Sequence, residues 1–320
     1  MTAFPFVFSN PVDSDAAMLP LDGLGLIAAS GPEARGFLQS QLSNDAKLIS
    51  ASQGQLSGYC SPKGRLLAVF TVIQLADDDF ALILPAALTT STLKRLKMFV
   101  LRSKLVLRDA SSELPALGLI GERASAALDR LGFSVPATDY GTARHEGCWL
   151  LRRPGPVPRF ELRGSSERLS ALKAALPLPT ATATDWALAE LLAGIPQVTA
   201  ETVEHFVPQT IDLDRAGGVS FTKGCYPGQE IVARVHYLGR VKQRLHLAGC
   251  DSHAPPGAPV FTSEPGSQAI GELMATAPLA TGGYGLSFAL QLDQAGRSDL
   301  RLGATDGPAI GRPQRVHPET

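Results

Sequence analysis

The apolar positions of this chain follow two alternating rhythms, short runs and stripes at helical spacing. Residues 24–29 are a short apolar run that predicts a strand, and Ser30-Gly31-Pro32-Glu33 reads as a capping box with proline in the first helical turn. Ala34, Phe37, Leu38 and Leu42 give the expected helix one buried stripe, closed by the turn-forming Ser43-Asn44-Asp45. Residues 56–60 and 65–75 predict a hairpin about Ser61-Pro62-Lys63-Gly64, whose proline and glycine suit a tight turn. A strand over 80–84 follows. A helix then carries Leu93, Leu96 and Val100 on one face and Lys94, Arg95 and Lys97 on the other, before a returning strand over 104–108.

The strand-then-helix pattern of 26–38 recurs more faintly over 117–128, aligning Gly31 with Gly121 and Leu38 with Leu128, so a second, related unit is expected. It contains a hairpin over 149–151 and 160–162 across the surface loop Pro154-Gly155-Pro156-Val157-Pro158, and a helix over 165–176. Thr184-Asp185 reads as the cap of a further helix, stopped by Gly194 and Pro196. From Lys242 the texture changes to strands over 244–247, 270–274, 284–292 and 299–302 with Gly/Pro turns, and 249–257 as a connection. The fold class is therefore α+β. Residues 1–110 and 111–241 form two related α+β subdomains, and 242–320 a small all-β unit.

Composition acts mainly by exclusion. A chain of 320 residues exceeds one ordinary domain, and 29 Lys+Arg against 30 Asp+Glu give no bulk attraction to nucleic acid. The longest apolar stretch, over 80–88, contains Pro85 and falls short of the ~20 residues that span a bilayer, so no membrane partner is expected. Met1-Thr2-Ala3-Phe4-Pro5-Phe6-Val7-Phe8 has no basic residue ahead of its apolar patch, so a cytoplasmic location is expected. Cys60, Cys148, Cys225 and Cys250 lie 88, 77 and 25 positions apart and the histidines form no HExxH pair, so no intrinsic metal is expected.

Candidate chemistry concentrates in Phe221-Thr222-Lys223-Gly224-Cys225-Tyr226-Pro227-Gly228-Gln229-Glu230, which sets a thiol between two glycines just before a helix expected from Gln229. The charge of Lys223 and the N–H groups of the helix start favour thiolate, whereas Glu230 opposes it. A small buried cysteine in a glycine turn is the bland alternative. Cys225 and Lys223 are the candidate catalytic residues.

The stretch from Gly217 to Arg234 resembles the signature of the YgfZ family of folate-binding proteins. Ala193-Gly194-Ile195-Pro196, Phe206-Val207-Pro208-Gln209, Phe37-Leu38-Gln39 with Asn44-Asp45, and Tyr59-Cys60-Ser61-Pro62-Lys63-Gly64-Arg65 follow that family in order and spacing, so the likeness covers nearly the whole chain. The resemblance implies the fold of the aminomethyltransferase (T-protein) of glycine cleavage: two α+β folate-binding subdomains and a C-terminal β-barrel around a central opening. It also implies tetrahydrofolate or a derivative as cofactor, Cys225 as the functional thiol, and support of iron–sulfur enzymes, including those that thiolate tRNA, as the role. Trp186, eight residues before Gly194, stands where such proteins place an aromatic against the folate. Leu24 stands where a family member has Trp, and Leu192 where relatives often carry Glu, with Glu190 one helical step away. Tyr226, Gln229, Glu230 and Arg234 complete the expected folate contacts, with Arg234 and Lys223 as cations for the carboxylates of a folate tail.

A true aminomethyltransferase would share the fold and the ligand. In T-proteins the strand after the glycine turn brings an Asp, where this chain reads Arg65-Leu66-Leu67-Ala68-Val69-Phe70. Such a group contributes ~10²–10⁴-fold, so Ala68 and Val69 disfavour that reading. A non-catalytic docking scaffold for iron–sulfur proteins is the other alternative. Gly23-Leu24-Gly25-Leu26-Ile27-Ala28 imitates a dinucleotide fingerprint but precedes a strand, and Ser91/Lys94 and Ser220/Lys223 lack the Lys-Thr-Gly element of serine acyltransfer. The strip Arg234, His236, Arg240, Lys242 and Arg244 reads as a solvated face. Direct tRNA binding is accordingly not expected, and the chain is expected to act as a monomer.

Overall fold

The structure, a computed structural model, describes residues 16–317, so the reading of residues 1–8 lies outside the described residues. The strands β2 (Leu24–Ser30), β3 (Gln55–Cys60), β4 (Leu66–Ala76), β5 (Asp79–Pro85) and β6 (Val106–Asp109) form an antiparallel sheet in the order β3-β4-β5-β2-β6. Its central strands are mostly apolar on both sides because both faces are covered. Ile27, Ala29, Leu82 and Leu84 enter one core, while Leu26, Ala28, Ala81 and Ile83 enter another that reaches Leu151 of a second sheet.

Helix α1 (Ala34–Gln41) lays Ala34, Phe37 and Leu38 on the first core, as its stripe predicts. The expected Ser30–Glu33 capping box does not form, because Ser30 ends β2 and pairs with Asp79 and Val106. The Glu33 carboxylate instead accepts from the backbone N–H of Lys104 at 2.9 Å. Helix α2 (Thr89–Lys97) buries Leu96 and ends in Lys94, Arg95 and Lys97, which suit the negative end of its dipole, and Val100 falls in the turns beyond it.

The second sheet comprises β1 (Ala17–Pro20), β7 (Ala116–Ile120), β8 (Thr142–His145), β9 (Cys148–Arg153) and β10 (Arg159–Arg163) in the order β1-β7-β10-β9-β8. The faint repeat is real in three dimensions. Gly31 and Gly121 adopt φ of 132° and 123°, conformations that only glycine reaches easily. Each accepts from the first helical residue: Ala34 N–H to Gly31 O at 2.9 Å, and Ala124 N–H of α3 (Ala124–Arg130) to Gly121 O at 3.0 Å.

Two segments pack across the expected boundary at 110, so the spatial units do not follow the division along the sequence. Strand β1, from the first 110 residues, pairs with β7 of the second sheet, Ala17 opposite Ile120. Conversely, Ile195, Val198, Phe206, Ile211, Leu213, Val219 and Val232 pack into the core of the first sheet, so the motif segment belongs physically to the first unit. The reason is local pairing. Leu66 N–H donates to Phe206 O and Glu204 N–H to Leu66 O, both at 2.8 Å, which ties the returning chain to β4.

Helix α4 (Ser166–Ala175) starts at Ser165, whose side chain accepts from Arg168 N–H. Helix α5 (Ala183–Leu192) is capped by Thr182, two residues before the expected cap at Thr184-Asp185. Thr182 Oγ1 accepts from Asp185 N–H at 3.2 Å while Asp185 Oδ2 accepts from Thr182 N–H at 2.9 Å, a reciprocal box worth ~1 kcal/mol or more. Gly194, at φ 62°, ends it as expected.

The C-terminal strands β11 (Gln243–Cys250), β12 (Pro259–Thr262), β13 (Gly271–Pro278), β14 (Tyr284–Gln291), β15 (Leu300–Leu302) and β16 (Gln314–Arg315) run β15-β12-β13-β14-β11-β16. β12 has no counterpart in the sequence reading, and β11 extends to Cys250, so the connection begins later than residue 249. The sheet curls until its ends meet: Ala309 bridges to Arg301 of β15, and Ile310 bridges to Cys250 of β11. The barrel so formed encloses Val260, Leu273, Leu286, Phe288 and Leu290. Among the described residues, no helix is long and apolar enough to cross a membrane.

Candidate functional site

A cavity of about 570 Å³ lies where the three layers meet, within the range of small-molecule sites. The turn between β1 and β2 contributes Asp22, the start of β2 contributes Leu24, α5 contributes Trp186, Glu190 and Leu191, and the barrel contributes Met274, Thr276 and Ser287. Gln197 and Thr199 complete the wall, and the Gln197 Oε1 is buried with no hydrogen-bond partner. Trp186 is almost wholly buried, its ring over Gly118, where a Cβ would come within 2.8 Å. The guanidinium of Arg159 lies 5.2 Å from the ring centroid. Trp186 is thus both a core residue and part of the cavity wall.

The cavity is polarised by a buried charge cluster. Glu190 Oε1 accepts from Arg153 Nη2 at 3.1 Å and from Arg159 Nη1 at 2.8 Å, whereas Oε2 has one longer contact, to Arg153 Nη2 at 3.3 Å. Oε2 therefore retains acceptor capacity. Burial works against this carboxylate, but the two guanidinium groups outweigh it and hold the Glu190 pKa below the ordinary carboxylate range. Behind it, Glu161 sits 3.6 Å from Arg153 and is hydrogen-bonded by Arg163 Nε, and Arg153 Nη1 donates to Thr71 Oγ1 at 2.9 Å across the two sheets. Sequence reasoning considered Glu190 but missed Arg153 and Arg159. A signal exists: Arg159, Glu161 and Arg163 alternate with Phe160 and Leu162 along β10, so one strand face is charged although the strand is buried throughout.

The motif segment is positioned differently. Residues 217–228 are strapped to the end of α1 and the chain after it. Ser43 Oγ donates to Gly218 O at 2.6 Å, Asn44 Nδ2 donates to Gly217 O at 2.8 Å, and Ser220 N–H donates to Ser43 O at 2.9 Å. Lys223 is buried, and its Nζ donates to the carbonyls of Gln39 and Leu42 at the C-terminal end of α1, both at 2.5 Å, while lying 5.1 Å from the Tyr226 ring centroid. Burial brings the Lys223 pKa down to about 8, with Asp45 opposing. Lys223 was expected to serve the thiol; its hydrogen bonds instead anchor the loop to α1.

Tyr226 is also buried, which raises its phenol pKa. The segment then turns at Gly228, φ 80°, against Gly64, φ 70°, of the hairpin turn. A Cβ on Gly228 would lie 2.4 Å from Ser61 O, so the two glycine turns lock at backbone contact. Helix α6 (Gln229–Tyr237) starts at this seam, and Gln209 Nε2 donates to Val232 O at 2.7 Å.

Cys225 stands exposed on this seam, whereas Cys60, Cys148 and Cys250 are buried. Burial pushes the Cys60 thiol up to about 12 and also raises that of Cys148. A chromogenic disulfide reagent should therefore titrate one fast thiol in the native protein and four after unfolding; loss of the fast thiol in Cys225→Ser identifies it, and a second fast thiol would contradict the burial pattern.

Of the expected folate contacts, Trp186 and Leu24 line the cavity. Tyr226, Gln229, Glu230 and Arg234 do not, and neither do Cys225 and Lys223. The expected single site resolves into two places: a cavity between the layers, and a thiol-bearing seam on α6. Leu192, the last residue of α5, is buried in the core rather than in the cavity wall. Ala68 and Val69 are buried in β4, and the carboxylates that line the cavity are Asp22 and Glu190. Among the described residues, no three His, Cys, Asp or Glu side chains stand together as metal ligands would.

Comparison with known proteins places these features in context. The GCVT N-terminal domain family matches residues 9–147. The tRNA-modifying protein YgfZ of Colwellia psychrerythraea is 34% identical over 238 residues, 74% of this chain and 73% of that protein. Its namesakes in Photorhabdus laumondii and Edwardsiella ictaluri are 31% and 32% identical, over 78% and 89% of this chain and 77% and 87% of theirs. In three dimensions the chain is similar to the glycine cleavage system aminomethyltransferase T of Bartonella henselae, with a TM-score of 0.76 and 16% identity, covering 95% of this chain and 89% of that one. At that identity the likeness establishes the two-subdomain-plus-barrel fold and nothing about activity.

Proposed function

The chain belongs to the YgfZ family of tRNA-modifying proteins, which gives it a role in tRNA modification, and we propose that it fills that role as a folate-binding accessory protein of iron–sulfur enzymes. The observation that carries the folate part is the Glu190 carboxylate, kept ionised between Arg153 and Arg159 beside Trp186 in a cavity of about 570 Å³. A pterin ring needs a flat apolar wall and an acceptor for its ring and amino N–H groups. Trp186, Leu24 and Met274 supply the wall, and Glu190 Oε2 and the unpartnered Gln197 Oε1 supply acceptors. A bound tetrahydrofolate would contribute one-carbon carriage. The residues of this chain orient it and exclude water from its ring.

Cys225 does not line the cavity, and we assign it to the partner-facing side of the function. Its thiol is exposed on a seam made rigid by Gly64, Gly228 and Lys223, where an iron–sulfur or thiolating enzyme can reach it. The aminomethyltransferase reading is weaker, because the positions expected to carry its Asp are the buried Ala68 and Val69. A pure scaffold would need neither the charged cavity nor an exposed thiol.

Titration with tetrahydrofolate, read by tryptophan fluorescence, tests this reading. Wild type should show saturable quenching, Trp186→Phe should lose most of it while keeping the Trp149 background, and Cys225→Ser should titrate like wild type. The same Cys225→Ser substitution should lower thiolated tRNA in cells. Absence of saturable quenching in wild type would remove the folate assignment, and unchanged tRNA thiolation would remove the role of the thiol.

A further inference from the structure

We infer that the outer surface of α6 is a platform for single-stranded RNA, on which an unpaired base stacks against His236 and Tyr237 while Arg234, Arg240 and Lys242 meet the flanking phosphates. In sequence these cations read as an ordinary solvated strip; the ring geometry changes that. The rings of Phe221 and His236 are stacked, with centroids 3.7 Å apart and planes 12° apart. Phe221 packs on the first core, so the plane of the exposed His236 ring is fixed from beneath. Tyr237 stands 81° to His236 with centroids 4.7 Å apart and is 63% exposed, which makes an open corner of two rings. Such a corner offers a base one face to stack on and one wall to lie against, the arrangement by which proteins hold unpaired bases.

The charges agree. From Gln229 to Lys242 the chain carries Arg234, Arg240 and Lys242 against one carboxylate, Glu230. Arg234, Arg240 and Lys242 are exposed, and Lys63 lies exposed on the glycine turn docked against the start of α6. Arg244, the remaining member of the strip, drops out because it is buried on Asp212 and Asp214, at 3.0 and 2.7 Å. A protein partner would favour the neighbouring Leu238 and Ile231, but it would leave a row of cations with little to oppose it. The phosphates of an RNA strand satisfy both the rings and the cations. The inference rests on the role in tRNA modification and not on the folate assignment.

Fluorescence anisotropy of a labelled single-stranded RNA of about ten nucleotides, titrated with the full chain at about 50 and about 200 mM salt, tests it. Wild type should bind saturably and more weakly at the higher salt. Tyr237→Ala should weaken binding about tenfold. The double variant Arg240→Ser/Lys242→Ser should flatten the slope of log K against log salt by about 1.4, two cations at ~0.7 each. All three changes are at exposed positions, so thermal melting should match wild type, and tetrahydrofolate quenching should be unaffected. No saturable signal for wild type at the lower salt, wild-type affinity in Tyr237→Ala, or equally tight binding of a duplex of the same sequence would each overturn the inference. RNA binding without folate quenching would remove the folate assignment and leave this one standing.

Discussion

Replacing Glu190 by glutamine should destabilise the fold by about 3–5 kcal/mol, the usual consequence of removing one partner from a buried ion pair and leaving the other uncompensated. Here the buried Arg159 loses its carboxylate partner, while Arg153, also bonded to Glu190, keeps Glu161 at 3.6 Å. The comparison is Glu146→Gln, which breaks an exposed pair with Arg168 at 3.4 Å and should change stability by less than about 1 kcal/mol. Urea midpoints for the two variants decide the matter, since comparable shifts would mean that the buried cluster contributes no more to stability than an exposed ion pair. The same carboxylate sets a pH dependence. Its folded pKa lies below the unfolded value of ~4.3, so its contribution is complete above about that pH and is lost as pH falls through the folded value. The acid limb of the wild-type stability curve should flatten in Glu190→Gln.

Gly228→Ala should be nearly as damaging for a different reason. The residue holds φ 80°, and its new Cβ would lie 2.4 Å from Ser61 O and 2.7 Å from the Gly64 Cα, backbone atoms that cannot rotate away. The conformation costs about 1–3 kcal/mol and the overlap about 1–3 kcal/mol more. Gly266→Ala separates the two contributions, because Gly266 has a similar φ of 77° with nothing within 4 Å of a Cβ, so only the conformational cost remains. If both alanine variants unfold at the same urea concentration, the two glycine turns are not locked together. If Gly228→Ala alone is strongly destabilised, the seam that carries Cys225 is a structural joint as well as a chemical one.

These features were unequally legible in the sequence. Gly31 and Gly121 could be aligned because a positive φ admits few residues, so backbone geometry leaves a mark at single positions. The β3–β4 hairpin and α1 were equally readable, since period and turn residues are local. The capping box at Ser30 failed because strand pairing with Asp79 and Val106 took its place. At the candidate site, Trp186 and Leu24 were found through family spacing, but the partners of Glu190 come from β9 and β10, and no local pattern joins them to α5. Lys223 was misread for a related reason. Its neighbours in sequence are Gly224 and Cys225, whereas its ammonium bonds the carbonyls of Gln39 and Leu42, far away along the chain. Sequence adjacency proposed a thiol partner, and tertiary packing made it a clamp.

The return of residues 195–232 into the first core bears on how the chain is made. When the strands of the first sheet have left the ribosome, the surface to be covered by Phe206, Ile211, Leu213 and Val232 is still bare. At ~5–20 residues per second the missing pieces arrive roughly 6–25 s later. Over that interval the nascent chain presents an open hydrophobic face, a natural client surface for a chaperone.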